Sequence, residues 1–290
     1  MDILLILFFE LLFLLLLGGL ITPFPISDTG TVRYNSLPWM TITLILINTL
    51  VFMAWQFPHL VELMSVTDET QLTNGQVDAI YGYVNQIWTY GLRRVFFTEG
   101  LSIGAFSNFT AMFMHADFSH LAGNMIFLWA FGRRLEDACG HWRFLLFYLL
   151  AGTVSHMGSI FLIPSDQDVP SIGASGAISG VMGAYLLLFP GAKMTCLWVL
   201  IAVLRFFASF VMRLIGEKSE ARWTIKLPAL LVVGLYIVYD IQDTFNTAQT
   251  GEFLGGVNYI AHTTGFLAAI TIFLFVRKDL LVRYAAGRSI

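Results

Sequence analysis

An all-α, polytopic membrane fold is what the sequence predicts, and three observations predict it. Hydrophobic residues make up 57% of the 290-residue chain and charged residues only 12%, against roughly 45–50% and about 25% in soluble domains. Mean hydropathy is +0.74. Apolar runs of about 20 residues, each the length of a bilayer-crossing helix, recur along the chain and are separated by the basic residues. A net charge of −3 leaves no basic footprint for nucleic acid. Cys139 and Cys196 lack zinc or redox spacing and read as free thiols.

Taken in order, the apolar segments fall at roughly 3–22, 38–57, 118–135, 142–163, 171–189, 194–215, 226–245 and 257–276. The first starts Met1-Asp2 without a basic lead and is longer than the core of a cleaved signal, so it reads as a retained anchor. Residues 1–37 form this anchor and a linker. Segment 194–215 is interrupted by Arg205 and Arg213 and flanked by Lys193 and Lys218, which suits an interfacial or re-entrant stretch. The connection 58–113 is too long to be structureless and is rich in aromatic residues, which predicts short helices lying at the membrane surface. Residues 277–290 form a basic tail.

Sidedness follows from the same residues. If 194–215 does not cross, one face collects 14 of the 16 Lys/Arg residues: Arg33, Arg133, Arg134, Arg143, six from Lys193 to Lys226, and four after residue 276. Only Arg93 and Arg94 lie opposite. The basic-rich face is then cytoplasmic, the carboxyl terminus lies inside, and the amino terminus lies outside. With no organelle-targeting presequence apparent, a bacterial inner membrane is the expected location.

Polar residues inside such spans cost free energy and are functional candidates by default. Ser175, in Gly173-Ala174-Ser175-Gly176, lies roughly 6 Å below the start of its span, and His262, after Ala261, lies roughly 7 Å below the start of its own. With one crossing between them, both spans start on the same face. A serine needs an adjacent base to become a nucleophile, and an imidazole can serve near pH 7. The pair is the minimum equipment for acyl transfer. His120 and Asn124 share a helix face at i, i+4, at depths of roughly 3 and 9 Å on a span starting from the same side. With the backbone N–H of Ser175 they can form an oxyanion hole. Spans 118–135, 171–189 and 257–276 carry no acid at that level, which points to a dyad. Gly176, Gly180 and Gly183 follow Ser175, and Ala261, Gly265 and Ala269 surround His262; small residues at such spacing allow close helix approach in lipid.

At these residues the chain resembles the rhomboid intramembrane serine proteases. The matching motifs are His115-Ala-Asp-Phe-Ser-His120-Leu-Ala-Gly-Asn124, Gly132 with Glu136, Gly173-Ala-Ser175-Gly176, and Ala261-His262-Thr-Thr-Gly265. They lie within roughly 106–276, with 38–57 as the first core span. The resemblance implies a six-helix core within 38–276, preceded by one extra helix (1+6), and a Ser–His dyad. Ser175 would be nucleophile and His262 base, Asn124 and His120 would stabilise the oxyanion, and His115, Gly173, Gly176 and Gly265 would support them. Transmembrane proteins cleaved near the outer face would be the substrates, with the bilayer as partner and no cofactor or metal. There are departures. Phe106-Ser107 stands where the family has Trp-Arg, Ser179 where some members carry an aromatic, and Thr264 in place of a second glycine.

The alternatives are plainer. Gly-x-Ser-Gly alone reads as helix packing, and His262 alone as a buried, satisfied histidine. His156 and His59 read as structural or interfacial, while Glu136, Arg133 and Arg134 read first as helix-end charges. No His-Glu-x-x-His motif supports a metalloprotease. Asp240 and Asp243, placed at one span's outer end, lack the facing partner an aspartyl mechanism needs. A transporter would carry its polar site at the midplane. A non-catalytic protein escorting transmembrane clients remains the alternative from a different class.

Overall fold

A computed structural model describes residues 22–29, 37–65, 72–98, 101–163, 168–215, 223–250 and 257–276, together with isolated positions nearer the two ends (7, 8, 11, 12, 20, 279, 282, 283 and 286). Seven of the eight expected apolar segments coincide with helices. The expected first span, 3–22, lies outside the described residues apart from isolated positions, as does most of the basic tail.

Strand β1 (Phe24–Asp28) precedes helix α1, which runs over Trp39–Met64 through a π-helical turn at Phe52–Gln56. It is longer than the expected 38–57. Pro58 removes the N–H that residue 54 would accept, which loosens the ladder at that turn. Helix α2 (Asn74–Tyr90) is opened by a capping box between Thr73 and Gln76. Helix α3 is Leu101–Thr110. Helix α4 covers Phe118–Phe127, a π turn at Leu128–Gly132, and Arg133–Cys139. Gly140, at φ +84°, turns the chain into α5 (His141–Leu162). Helix α6 is Ser175–Leu188, strand β2 Lys193–Leu197, helix α7 Val199–Leu214, strand β3 Thr224–Pro228, helix α8 Ala229–Thr250, and helix α9 Tyr259–Val276. Among the described residues α1 and α5 are long and apolar enough to cross a membrane, while Ser175–Leu188 and Tyr259–Ile272 are shorter apolar helices.

The all-α expectation needs one correction. The three strands form an antiparallel sheet in the order β1-β2-β3, with Phe24 opposite Leu197 and Leu197 opposite Thr224. Each strand is five residues long and pairs with a segment remote in sequence, so local periodicity does not reveal it. Because β2 and β3 are direct neighbours, everything between Leu197 and Thr224 leaves from and returns to one point of the sheet. Helix α7 in that excursion exposes Phe206, Phe207, Phe210 and Leu214, and Arg205 reaches back to the Thr224 carbonyl at 3.0 Å.

The sheet gathers one end of the bundle. Arg134, in the last turns of α4, donates to the Asp28 carboxylate at 2.5 Å and lies over the Phe189 ring. Glu136 is fully buried. Its carboxylate accepts from the Met40 and Thr41 amides at 2.8 and 2.7 Å and from the Thr41 hydroxyl at 2.7 Å, with His141 Nδ1 against its other side. Thus Glu136 is not a solvated helix-end charge. It caps the amino terminus of α1, where unpaired N–H groups and the helix dipole favour an anion.

Helix α6 lies at the centre, buried on every side from Gly176 to Tyr185, as a helix apolar all round must be. It packs most extensively on α9 and next on α5. The long connection is anchored at the opposite end from the sheet. Arg93 lies over Trp88 at 4.5 Å and pairs with Asp168, while Arg94 donates to the Ile160 and Ile163 carbonyls that end α5. These arginines anchor the connection to α5 and to the segment that follows it.

Removing the Glu136 carboxylate strands the Met40 and Thr41 amides. Glu136→Ala is expected to destabilise the fold by roughly 3 kcal/mol, read as a lowered midpoint in detergent unfolding.

Candidate active site

Helix α6 begins at Ser175 itself, with Ala174 as its N-cap, so the serine occupies the first helical position instead of lying one turn inside. The unpaired N–H groups of a first turn face outward there. Preceding it, Gly173 adopts φ +122°, a conformation that favours glycine. A Cβ at Gly173 would also lie 3.0 Å from His120 Nε2 and 3.6 Å from Ser175 Oγ. That one empty point therefore touches both side chains.

His120 is oriented by its own loop. The Ala116 amide donates to its Nδ1 at 3.3 Å, which places the ring proton on Nε2 and makes that nitrogen a donor on the serine side. Asp117 caps α4 by accepting from the His120 amide at 2.7 Å and the Ser119 hydroxyl at 2.6 Å. Asn124, one turn deeper, is buried, and its Nδ2 has no hydrogen-bond partner among the described residues. A buried donor left unpaired costs about 1–3 kcal/mol.

His262 enters from α9. Its helix approaches α6 at backbone contact: a Cβ at Gly265 would lie 2.2 Å from the Gly176 carbonyl oxygen, and one at Gly176 would lie 1.9 Å from Ser155 Oγ and 3.5 Å from the Ala261 oxygen. Gly176 follows Ser175, and Ala261 precedes His262. His262 and His120 are near enough for their charges to interact. Thr264, the expected misfit, is accommodated by Gly158 on α5, where any Cβ would lie 2.7 Å from it. Its hydroxyl donates to backbone carbonyls, including Ile260 at 2.7 Å.

His115 does not enter this cluster as a reacting group. Its ring stands edge-to-face against His120, centroids 5.0 Å apart, and supports that ring by contact. Its backbone is clamped by Gln56 in the π turn of α1, with N–H and C=O bonds both at 2.9 Å. Tyr83 of α2 donates to the Ala116 carbonyl at 2.6 Å. Burial, with Asp117 alongside, pushes the Tyr83 phenol up to about 12, so it remains a donor.

Four residues of the site escape the sequence reading. Asn258 Nδ2 donates to Ser159 Oγ at 2.7 Å and Ser171 Oγ at 3.1 Å, while its oxygen accepts from the Ala261 amide at 3.1 Å. One side chain thus ties α5, the approach to Ser175 and the first turn of α9. Ser155 adds a bond to the Ala261 carbonyl at 2.6 Å. Tyr259 stands edge-to-face against His262 at 5.8 Å. Asp240 lies with Oδ1 3.3 Å from His262 Nδ1. The sequence places Asp240 near a span's end, but α8 continues to Thr250, which puts it mid-helix. An acid in such a span was itself a signal.

A family model described as the Rhomboid domain matches residues 103–279. Rhomboid-like protein 11, chloroplastic, of Arabidopsis thaliana is 29% identical over 169 residues, 58% of this chain and 51% of that protein. Rhomboid protease GluP of Bacillus subtilis is 43% identical over 77 residues, 27% of this chain and 14% of that protein. Rhomboid protein 1, mitochondrial, of Saccharomyces cerevisiae is 39% identical over 84 residues, 28% and 24% of the two chains. The matched segments span about half or less of each of these relatives.

Burial, with the His120 imidazole alongside, holds His115 well below the usual imidazole range. Unfolded, the ring takes up a proton near pH 6.5; folded, it stays neutral. Its contribution is full above that pH and is lost as pH falls toward the depressed folded value. Unfolding temperature should therefore drop between about pH 7 and pH 5, and His115→Gln should flatten that slope.

Proposed function

The chain belongs to the rhomboid family, a membrane-embedded family that includes serine intramembrane proteases, and from that premise we propose that it is an intramembrane serine endopeptidase acting on transmembrane-helix substrates. The support is threefold: Ser175 and His120 approach one point beside Gly173, the unpaired Asn124 donor lies one turn further along the His120 helix, and the helix bearing His262 packs at backbone contact on the helix bearing Ser175. Ser175 Oγ attacks the peptide carbonyl while His262 accepts its proton. The oxyanion is met by the Ser175 N–H, His120 Nε2–H and Asn124 Nδ2. His262 then protonates the departing amine, and water hydrolyses the acyl-enzyme by the reverse sequence.

In this proposal the site end of the bundle faces outward and the sheet end, with the basic residues, faces the cytoplasm or its equivalent. An anchor from residues 1–37 precedes the six-helix core in a 1+6 arrangement, and α7 lies in the inner interface with its aromatic side in lipid. The bacterial inner membrane expected from the sequence is one of several possibilities, because the named relatives include chloroplastic, mitochondrial and Bacillus proteins. The second reading, a rhomboid-like protein that binds transmembrane clients without cleaving them, is favoured by relatives named for association, such as Presenilin-associated rhomboid-like protein A, mitochondrial, of Danio rerio.

Purified protein in liposomes, given a model transmembrane substrate with small residues near its outer end, decides between them. Ser175→Ala should abolish cleavage and fluorophosphonate labelling while leaving the unfolding midpoint unchanged. Asn124→Ala should lower kcat by about 10²-fold with little change in KM. Cleavage by the Ser175→Ala protein at the parental rate would sink the proteolytic reading.

A further inference from the structure

We propose that Asp240 is a positioning residue for His262, making the reacting unit a three-member chain Asp240–His262–Ser175 built from α8, α9 and α6. This rests on the serine-protease reading above. The carboxylate is buried, lies mid-way along a helix, and has Oδ1 3.3 Å from His262 Nδ1. A carboxylate at that depth costs free energy unless a partner compensates it, and the imidazole is the partner at hand.

The surrounding contacts hold this pair in place. Thr244, one turn beyond Asp240, shares a hydrogen bond with Thr263 at 3.0 Å, tying α8 to α9 at the residue after His262. Tyr259 closes on the ring edge-to-face. The other titratable groups around His262 are Tyr239 and Asp243 from α8, Tyr259 from its own helix and His120 from α4. From α5 the nearby polar groups are the hydroxyls of Ser155 and Ser159. Among the described residues, Asp240 alone of the neighbouring acids is within hydrogen-bond range of a His262 ring nitrogen.

The consequence is a choice of tautomer. A neutral imidazole has one N–H; donated from Nδ1 to the carboxylate, it leaves the lone pair on Nε2 for the Ser175 hydroxyl. When Ser175 attacks, its proton moves to Nε2. The resulting imidazolium is held against the Asp240 charge until that proton passes to the leaving amine. Asp240 itself neither gains nor loses a proton.

The test uses full-length protein in detergent, measuring fluorophosphonate labelling of Ser175, kcat and KM for a transmembrane substrate, and the unfolding midpoint. Wild type must label at Ser175; failure there would remove the protease reading and not this refinement of it. Asp240→Asn keeps the volume and loses the charge. It is expected to lower labelling rate and kcat by about 10²-fold, with KM and the midpoint near wild type. Asp240→Glu should recover a substantial part of the rate, and added formate should partly restore Asp240→Ala. Asp240→Asn working at the wild-type rate overturns the proposal. So does a loss of rate in all three variants that tracks the unfolding midpoint and ignores formate, because that outcome makes Asp240 structural alone.

Discussion

Two backbones touch where α6 crosses α9, and the rest of the molecule is arranged so that they can. The carbonyl oxygen of Gly176 occupies the space a side chain at Gly265 would fill. In lipid, where helices gain little from hiding apolar surface, such close approach supplies the van der Waals contact that holds them together. It also fixes where the neighbouring residues go. Ser175 and His262 each sit one to three positions from the crossing, so their separation is set by a contact that cannot stretch without losing the interface. Ser155 and Ser159 pin the same turn of α9 from α5, the latter through Asn258, and Gly158 makes room for Thr264. A three-helix clamp therefore holds α9 against the serine.

The far end of the bundle serves the same purpose by different means. The α1 amino terminus is tied to α4 by Glu136, and α4 is tied to β1 by Arg134. The sheet then joins segments whose closest partners lie some way off in sequence. These bonds stop the helices sliding along their axes. A displacement of one residue in α4 would move His120 by about 1.5 Å, enough to spoil a hydrogen bond whose useful range is a few tenths of an ångström.

Much of this could be read from the amino-acid sequence because the bilayer makes polar residues conspicuous. Ser175, His120, Asn124 and His262 stand out against apolar surroundings, and the glycines opposite Ala261 and Ala269 announce a tight crossing. What the sequence concealed was long-range or depended on a boundary. Strands of five residues, paired with distant segments, give no periodic signal. Asp240 was misplaced because its helix runs five residues beyond the apolar stretch, through Asn246 and Thr247, which are buried or half-buried against the bundle instead of solvated. Glu136 resembled any charge at a helix end, since only the fold brings the α1 amides to it.

The distribution of hydrogen bonds around the site also has a direction. Three acceptors near the serine are already engaged: the Ala261 carbonyl by Ser155, the Asn258 oxygen by the Ala261 amide, His120 Nδ1 by Ala116. Asn124 Nδ2, His120 Nε2–H and the first N–H groups of α6 are donors that remain to act. A buried donor costs about 1–3 kcal/mol unpaired, and a site awaiting negative charge turns that cost to use, since donors fixed in advance need no rearrangement when the charge appears. Donors held ready in this way are what the proposed oxyanion chemistry requires of the ground state.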